Sequence, residues 1–281
     1  MPTRLDILKE SETRLSGVDS PRLSAQLLMA EALGCAPSAV YLDRNQEIPT
    51  EQLSRIRALI DRRASGEPVA YILGRQEFYG LEFKVTPDVL IPRPETEHIV
   101  EKVEELFAKD DAFRFADLGT GSGILAVTIS TVFTQAECDA IDLSPAAIAV
   151  ARSNAKRHGV QDRTHFVVGD FTNPLPGGPY DLIVANPPYV TEQEMTEASH
   201  EVTAFEPTLA LVSGADGLDH VRAMLAPVLA ALKPGGVLLM EVGWRHGDPI
   251  KKIISHGYPE IGQVSMIKDL AGHDRVVFLR K

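Results

Sequence analysis

The stretch ADLGTGSGILAV, residues 116–127, sets three glycines at alternate positions between a hydrophobic run and a helical one. FRFADL (113–118) reads as a buried strand, and a helix is expected from Ser122 onward. Gly119, Gly121 and Gly123 then form a tight strand-to-helix turn. Glycine accepts positive φ and lets a ligand approach the backbone, and the start of a helix favours an anionic group. A glycine cluster alone can be a turn and nothing more; the strand before it and the helix after it supply the context a binding turn requires. The spacing is G-x-G-x-G, unlike the G-x-G-x-x-G of pyrophosphate binders, and Asp117 before it would repel a pyrophosphate but suit an ammonium.

The same rhythm continues on both sides. ETEHIVEKVEELFAK (95–109) reads as a helix, and strand-like and helix-like segments then alternate: ECDAID (137–142), SPAAIAVARSNAKRHG (144–159), THFVVGD (164–170), YDLIVAN (180–186), DGLDHVRAMLAPVLAALK (216–233), GGVLLMEV (235–242), and a helix after Trp244. Such alternation predicts an α/β fold, an open and largely parallel Rossmann-like sheet with helices on both faces. Val276 to Leu279 read as a last strand at the sheet edge. The N-terminal part differs. LSAQLLMAEALG (23–34) and TEQLSRIRALIDRRASGEP (50–68) carry apolar residues at helical spacing, with Thr50 as the expected N-cap. YILGRQEFYGLEFKVTPDVLIPRPETE (71–97) has strand-rich runs around Gly74 and Gly80 and reads as a hairpin. The expected organisation is a helical domain over 1–72, a β-hairpin linker over 73–92 and the α/β domain over 93–281.

Composition narrows the function classes. The 281 residues are 44% hydrophobic and 24% charged, as in soluble globular proteins. No apolar run reaches the length of a membrane span, and MPTRLDILKESETRL lacks the apolar core of a signal peptide. The net charge of −11 lowers the expectation of a duplex-binding face. Cys35 and Cys138 offer neither a disulfide framework nor a metal spacing, so no metal and a reducing cytoplasm are expected.

Two further places carry chemistry. Asp142 ends the strand after the glycine turn, where a carboxylate can accept both ribose hydroxyls of a nucleoside; the plainer alternative is an N-cap of the next helix. Asp170 and Phe171 follow the third strand; the carboxylate could accept from an adenine amino group and the ring could pack on its face, or the pair could be turn and core. The second place is VANPPYV (184–190). Asn186 offers a side-chain carbonyl and Pro187 a backbone carbonyl on a residue with no N–H. Together they can hold both hydrogens of one –NH2 group, with Pro188 stiffening the corner and Tyr189 packing on the planar group. An amide nitrogen is a poor nucleophile, so holding it in line with an electrophile at ~3–3.5 Å is the main catalytic need. Acceptors fixed beside it also favour the positive charge that grows on nitrogen.

DLGTGSG, Asp142 and Asn-Pro-Pro-Tyr together resemble S-adenosylmethionine-dependent methyltransferases acting on planar amino groups. IPRPETE (91–97), the helical N-terminal region, EFYGLEF (77–83) and FEP (205–207) narrow this: nearly the whole chain resembles the PrmC/HemK family. The resemblance implies a protein-(glutamine-N5) methyltransferase acting on the Gly-Gly-Gln glutamine of class I peptide chain release factors, which modulates translation termination. It implies S-adenosyl-L-methionine as cofactor, S-adenosyl-L-homocysteine as product, a monomer, and no direct nucleic acid or membrane partner. Carried onto this sequence, it assigns cofactor contacts to Gly119, Thr120, Gly121, Ser122, Gly123, Asp142, Asp170, Phe171 and Asn186. The substrate glutamine falls to Asn186, Pro187, Pro188 and Tyr189. Many relatives carry tryptophan where Phe171 stands, a flat apolar contact in either case. Arg93 and Glu95 are expected to shape the pocket or to form a salt-bridged junction. The N-terminal helices suit a release-factor docking surface. Two other classes fit parts of the pattern: a nucleic-acid amino methyltransferase, and a cofactor-binding scaffold without turnover.

Overall fold

The computed structural model describes all residues, Met1–Lys281. Its contacts divide into two units: Met1–Arg75 with Ser199–Phe205, and Gln76–Ala198 with Glu206–Lys281.

The first unit is helical, with helices Arg4–Arg14, Pro21–Leu33, Pro37–Leu42, Thr50–Ala64 and Val69–Leu73. A capping box between Thr3 and Asp6 starts the first of them. Their apolar stripes meet in one core that includes Ile7, Leu28, Met29, Ile56 and Ile60. Thr50 is the first helical residue rather than the cap; Pro49, extended at φ −60°, takes that place. Arg63 is buried yet fully engaged, donating to Ser24 Oγ and to the carbonyls of Asp19 and Glu67, and pairing with Glu201 at 2.8 Å. That ion pair explains why Ser199–Phe205, far along the chain, belongs with this unit.

The second unit begins with a hairpin, β1 (Arg75–Phe78) and β2 (Leu81–Lys84), turning at Tyr79 and Gly80 with φ of +51° and +73°. Two successive residues at positive φ make the tight turn whose twist suits a hairpin. The hairpin is thus shorter than the expected linker, and from Gln76 on it counts with the second unit. The main sheet has seven strands in the order β5-β4-β3-β6-β7-β9-β8. They are β3 (Arg114–Leu118), β4 (Glu137–Asp142), β5 (Thr164–Val168), β6 (Tyr180–Ala185), β7 (Leu232–Glu241), β8 (Gln263–Lys268) and β9 (Asp274–Arg280). β5 through β7 run parallel, and β9 and β8 complete the sheet antiparallel.

The last strand is a correction: β9 lies inside the sheet and β8 forms the edge. Val276 to Leu279 are all buried, as a strand covered on both faces must be, whereas QVSMIK (263–268) is partly exposed throughout. The chain runs from β3 outward to β5, then returns to β6 on the other side of β3. A crevice therefore opens beyond the carboxyl ends of β3 and β6, where such sheets bind ligands. Register brings the functional positions level: Leu118 pairs with Ile141 and with Ala185, and Ala185 pairs with Met240. Gly119, Asp142, Asn186 and Glu241 follow as the next residue on four adjacent strands.

Candidate active site

The crevice holds a cavity of about 240 Å³, lined by both turns and by residues from well separated segments. The glycine turn forms one wall. Gly119, Gly121 and Gly123 all have positive φ, and the N–H groups of Gly119 and Thr120 donate to the Ile141 carbonyl at 2.9 and 3.0 Å. Gly119, Thr120, Gly121 and Ser122 line the cavity. Gly123 does not. It starts the helix Ile124–Val132, where an added Cβ would sit 3.2 Å from Ala151 Cβ, so its role is close helix packing. Asn154, fully buried, ties this wall to the hairpin through bonds to Ser122 O and to both backbone groups of Lys84.

Two carboxylates face the cavity here. Asp117 accepts from Thr120 Oγ1 at 2.6 Å and from Ala126 N at 3.0 Å, both on Oδ2. Its burial pushes the carboxyl up to about 7. Asp142 accepts from Gly121 N and Ser144 N, each at 2.8 Å, and burial raises it as well. The N-cap of the following helix is Ser144, which accepts from Ala147 N, so Asp142 braces the glycine turn instead. Leu143, half exposed, and Ala147 add an apolar surface beside it.

Asp170 and Phe171 line the same cavity. Asp170 Oδ1 accepts from the N–H and hydroxyl of Thr172, which hold this carboxyl below its ordinary range. Phe171 belongs to a buried cluster and also presents its ring to the cavity, 3.6 Å from where a Cβ on Gly119 would lie. Arg93 lines the cavity and pairs with the buried Glu206 at 2.5 Å; the other Glu206 oxygen accepts from Ile91 N at 3.2 Å. Arg93 therefore combines a place in the pocket wall with a buried ion pair, whose partner is Glu206 rather than a residue of the hairpin-to-helix junction. Glu95 does not line the cavity.

The Asn-Pro-Pro-Tyr corner forms the opposite wall. Asn186 and Pro188 line the cavity, whereas Pro187 and Tyr189 do not. No bond within the protein occupies Asn186 Oδ1 or the Pro187 carbonyl. Asn186 Nδ2 donates to Thr96 Oγ1 at 3.2 Å, and that hydroxyl donates to Glu241 Oε2 at 2.6 Å. Tyr189 donates its hydroxyl to Glu241 Oε1 at 3.2 Å, and its ring meets His246 edge-on. Glu241 is 1% exposed, and burial pushes it up to about 7 against the hydrogen bonds of Thr96 and Tyr189. The tyrosine ring is thus anchored by its hydroxyl at the back of the corner, rather than lying open as a stacking face.

Thr96 and Glu241 carried no assigned role in the sequence reading. Thr96 lies inside IPRPETE, and Glu241 is the one charged residue in the apolar run VLLMEV; a lone carboxylate ending a buried strand was the available signal.

Comparison with known proteins follows the same lines. The family description "PrmC N-terminal domain" matches residues 6–74, and "Methyltransferase small domain" matches 96–208. A release factor glutamine methyltransferase of Nitratidesulfovibrio vulgaris is 42% identical over 98% of this chain and 94% of its own length. Another with that name, from Koribacter versatilis, is 40% identical over 93% of this chain and 92% of its own. Among solved structures, a methyltransferase from Pyrococcus furiosus superposes with a TM-score of 0.53 at 18% identity, covering 81% of this chain and 98% of that one. That last likeness concerns the fold alone.

Proposed function

We propose a reaction for this chain, which belongs to the release factor glutamine methyltransferase family, from the residues its cavity brings together. The protein methylates a release factor on the side-chain amide of a glutamine, in the Gly-Gly-Gln motif of class I factors, with S-adenosyl-L-methionine as donor. The cytoplasm, where translation terminates, is its place of work.

The donor set fits that cofactor. Asp117, beside the glycine turn, suits an ammonium; the backbone of Gly119 to Ser122 leaves close approach for the amino-acid end; Asp142 suits a pair of ribose hydroxyls; and Leu143, Ala147 and Phe171 offer flat apolar walls for a base, with Asp170 at its edge. When bound, the cofactor supplies an electrophilic methyl group on a sulfonium and leaves as S-adenosyl-L-homocysteine. Everything else is done by the chain.

The single observation that carries the reading is the pair of unengaged acceptors on successive residues, Asn186 Oδ1 and the Pro187 carbonyl, of which Asn186 lines the cavity with the glycine turn. Two acceptors suit the two hydrogens of a primary amide. They orient the nitrogen, restrict its rotation, and stabilise the charge it gains during attack. Pro187 and Pro188, both buried, keep the acceptors from relaxing. No strong base stands at the corner, and none is required before attack, because the nitrogen becomes acidic only as its new bond forms. The proton then passes to solvent.

Incubation of the protein with a class I release factor and S-adenosylmethionine, followed by peptide mass spectrometry, tests the assignment. One added methyl on the Gly-Gly-Gln glutamine is expected. Label in RNA or DNA with none in the release factor would reverse the substrate assignment.

A further inference from the structure

Glu241 is a buried carboxylate that does not line the cavity, and neither does Thr96, its partner. Burying a carboxylate is costly unless its oxygens are well used. Here both are used on one object. Oε2 takes the Thr96 hydroxyl at 2.6 Å and Oε1 takes the Tyr189 hydroxyl at 3.2 Å. Thr96 in turn receives Asn186 Nδ2 at 3.2 Å. One carboxylate thus grips both ends of Asn-Pro-Pro-Tyr.

With Glu241 ionised and therefore only an acceptor, chemistry fixes the direction of each bond in this chain. A hydroxyl has a single hydrogen. Once Thr96 gives it to Glu241, Thr96 can only accept from its other neighbour, so it must face the –NH2 arm of Asn186. The carbonyl arm then points the other way from Cγ within the amide plane. Without the carboxylate, the threonine hydrogen could turn to Asn186 Oδ1 and the amide could flip. The corner would then offer a donor to a substrate –NH2, which is itself a donor, and the two would repel. An asparagine amide has no other means of telling its two arms apart, since they are nearly equal in size.

We infer that Glu241 and Thr96 are positioning residues: they lock the Asn186 amide with its oxygen as the acceptor offered to the substrate, and Glu241 holds Tyr189 in the same act. This rests on the reading that Asn186 receives the glutamine –NH2. The arrangement goes beyond fold stability.

The test uses full-length protein with release factor and S-adenosylmethionine. Thr96→Val keeps the shape and loses the hydroxyl; Thr96→Ser keeps the hydroxyl and loses the methyl. In Thr96→Val, kcat should fall about 10- to 100-fold, as when an oriented transition-state contact is lost, with S-adenosylhomocysteine affinity nearly unchanged. Thr96→Ser should recover most of the loss, and Glu241→Gln, which can no longer accept at both oxygens, should lose kcat in the same direction. Introducing Thr96→Val into an Asn186→Ala background should cost almost nothing more, because the residue it positions is already gone. Equal losses in Thr96→Val and Thr96→Ser, unchanged kcat in Thr96→Val, or a full additional loss on top of Asn186→Ala would each overturn the inference.

A readout that needs no turnover separates this from the substrate assignment. In the S-adenosylhomocysteine-bound protein, the Asn186 side-chain –NH2 protons should exchange with solvent about tenfold more slowly in wild type than in Thr96→Val. Protection without release-factor methylation would sink the proposed substrate and keep the lock. Methylation with equal exchange in both proteins would sink the lock and keep the substrate.

Discussion

The two walls of the cavity are built on different principles. The glycine turn is local: Asp117, Gly119, Thr120, Gly121 and Ser122 lie within six consecutive residues, and the braces they use, Asp142 and Ile141, come from the adjacent strand. The Asn-Pro-Pro-Tyr corner is not. Its orientation comes from Thr96, 90 positions earlier, and from Glu241, 52 positions after Tyr189. Gripping a cofactor needs shape and a few fixed charges, which one strand-to-helix turn can supply. Orienting a weak nucleophile needs one amide held in one of two nearly equivalent senses, and a short loop alone cannot enforce that.

Substitutions should separate the walls. Asn186→Ala has the largest expected effect: kcat falls roughly 10²–10³-fold, the usual cost of losing one such contact in the transition state, while affinity for S-adenosylhomocysteine falls much less. Steady-state kinetics beside calorimetry reads both, and near-normal turnover would remove Asn186 from the corner's chemistry. Asp142→Ala belongs to the other wall. Losing charge-assisted hydrogen bonds of about 1.5–3 kcal/mol should weaken cofactor binding roughly 10- to 100-fold. Unchanged affinity in that variant would refute the ribose assignment.

Smaller effects follow. Gly123→Ala puts a Cβ on a residue at φ +84° and 3.2 Å from Ala151 Cβ. It should cost about 1–3 kcal/mol of stability, seen as an earlier denaturant midpoint, with the chemistry of surviving protein intact. Glu241 offers a test by pH. Its carboxyl is raised from 4.5 to about 7 by burial, so the folded state holds a proton the unfolded state has released across that range. Its contribution to stability is therefore fullest below pH 4.5, falls as pH rises toward 7, and is flat beyond. Relative to wild type, Glu241→Gln should gain thermal stability as pH climbs through this window; a difference independent of pH would contradict it. Smallest of all is Phe171→Trp, a flat apolar ring replacing another, for which cofactor affinity should change by no more than about threefold.

The contrast between the walls is also a contrast in what could be read from the chain. The alternation of apolar runs and Gly- or Pro-broken connections from residue 113 to 242 exposed the parallel sheet, because its inner strands are largely buried and read as mostly hydrophobic runs, as in LIVA of β6 and VLLM of β7. DLGTGSG and Asp142 were legible for the same reason: their partners are near in sequence or one strand away. β8 escaped because QVSMIK, at the sheet edge, is half exposed and half polar, and that also misplaced Val276 to Leu279 at the edge. Thr96 and Glu241 escaped because nothing along the chain says that a hydroxyl in IPRPETE and a carboxylate in VLLMEV meet. Only the register, which sets Met240 against Ala185, brings Glu241 level with Asn186. Arg63 and Glu201 make the same point in the helical unit, where an ion pair joins positions 138 residues apart.

The most direct measurement is a crystal structure of the protein with S-adenosylhomocysteine and a glutamine peptide carrying Gly-Gly-Gln. The glutamine amide nitrogen should lie about 2.7–3.2 Å from both Asn186 Oδ1 and the Pro187 carbonyl oxygen, with Asn186 Nδ2 still on Thr96. A glutamine bound elsewhere, or one whose amide meets the Nδ2 arm of Asn186, would contradict the account.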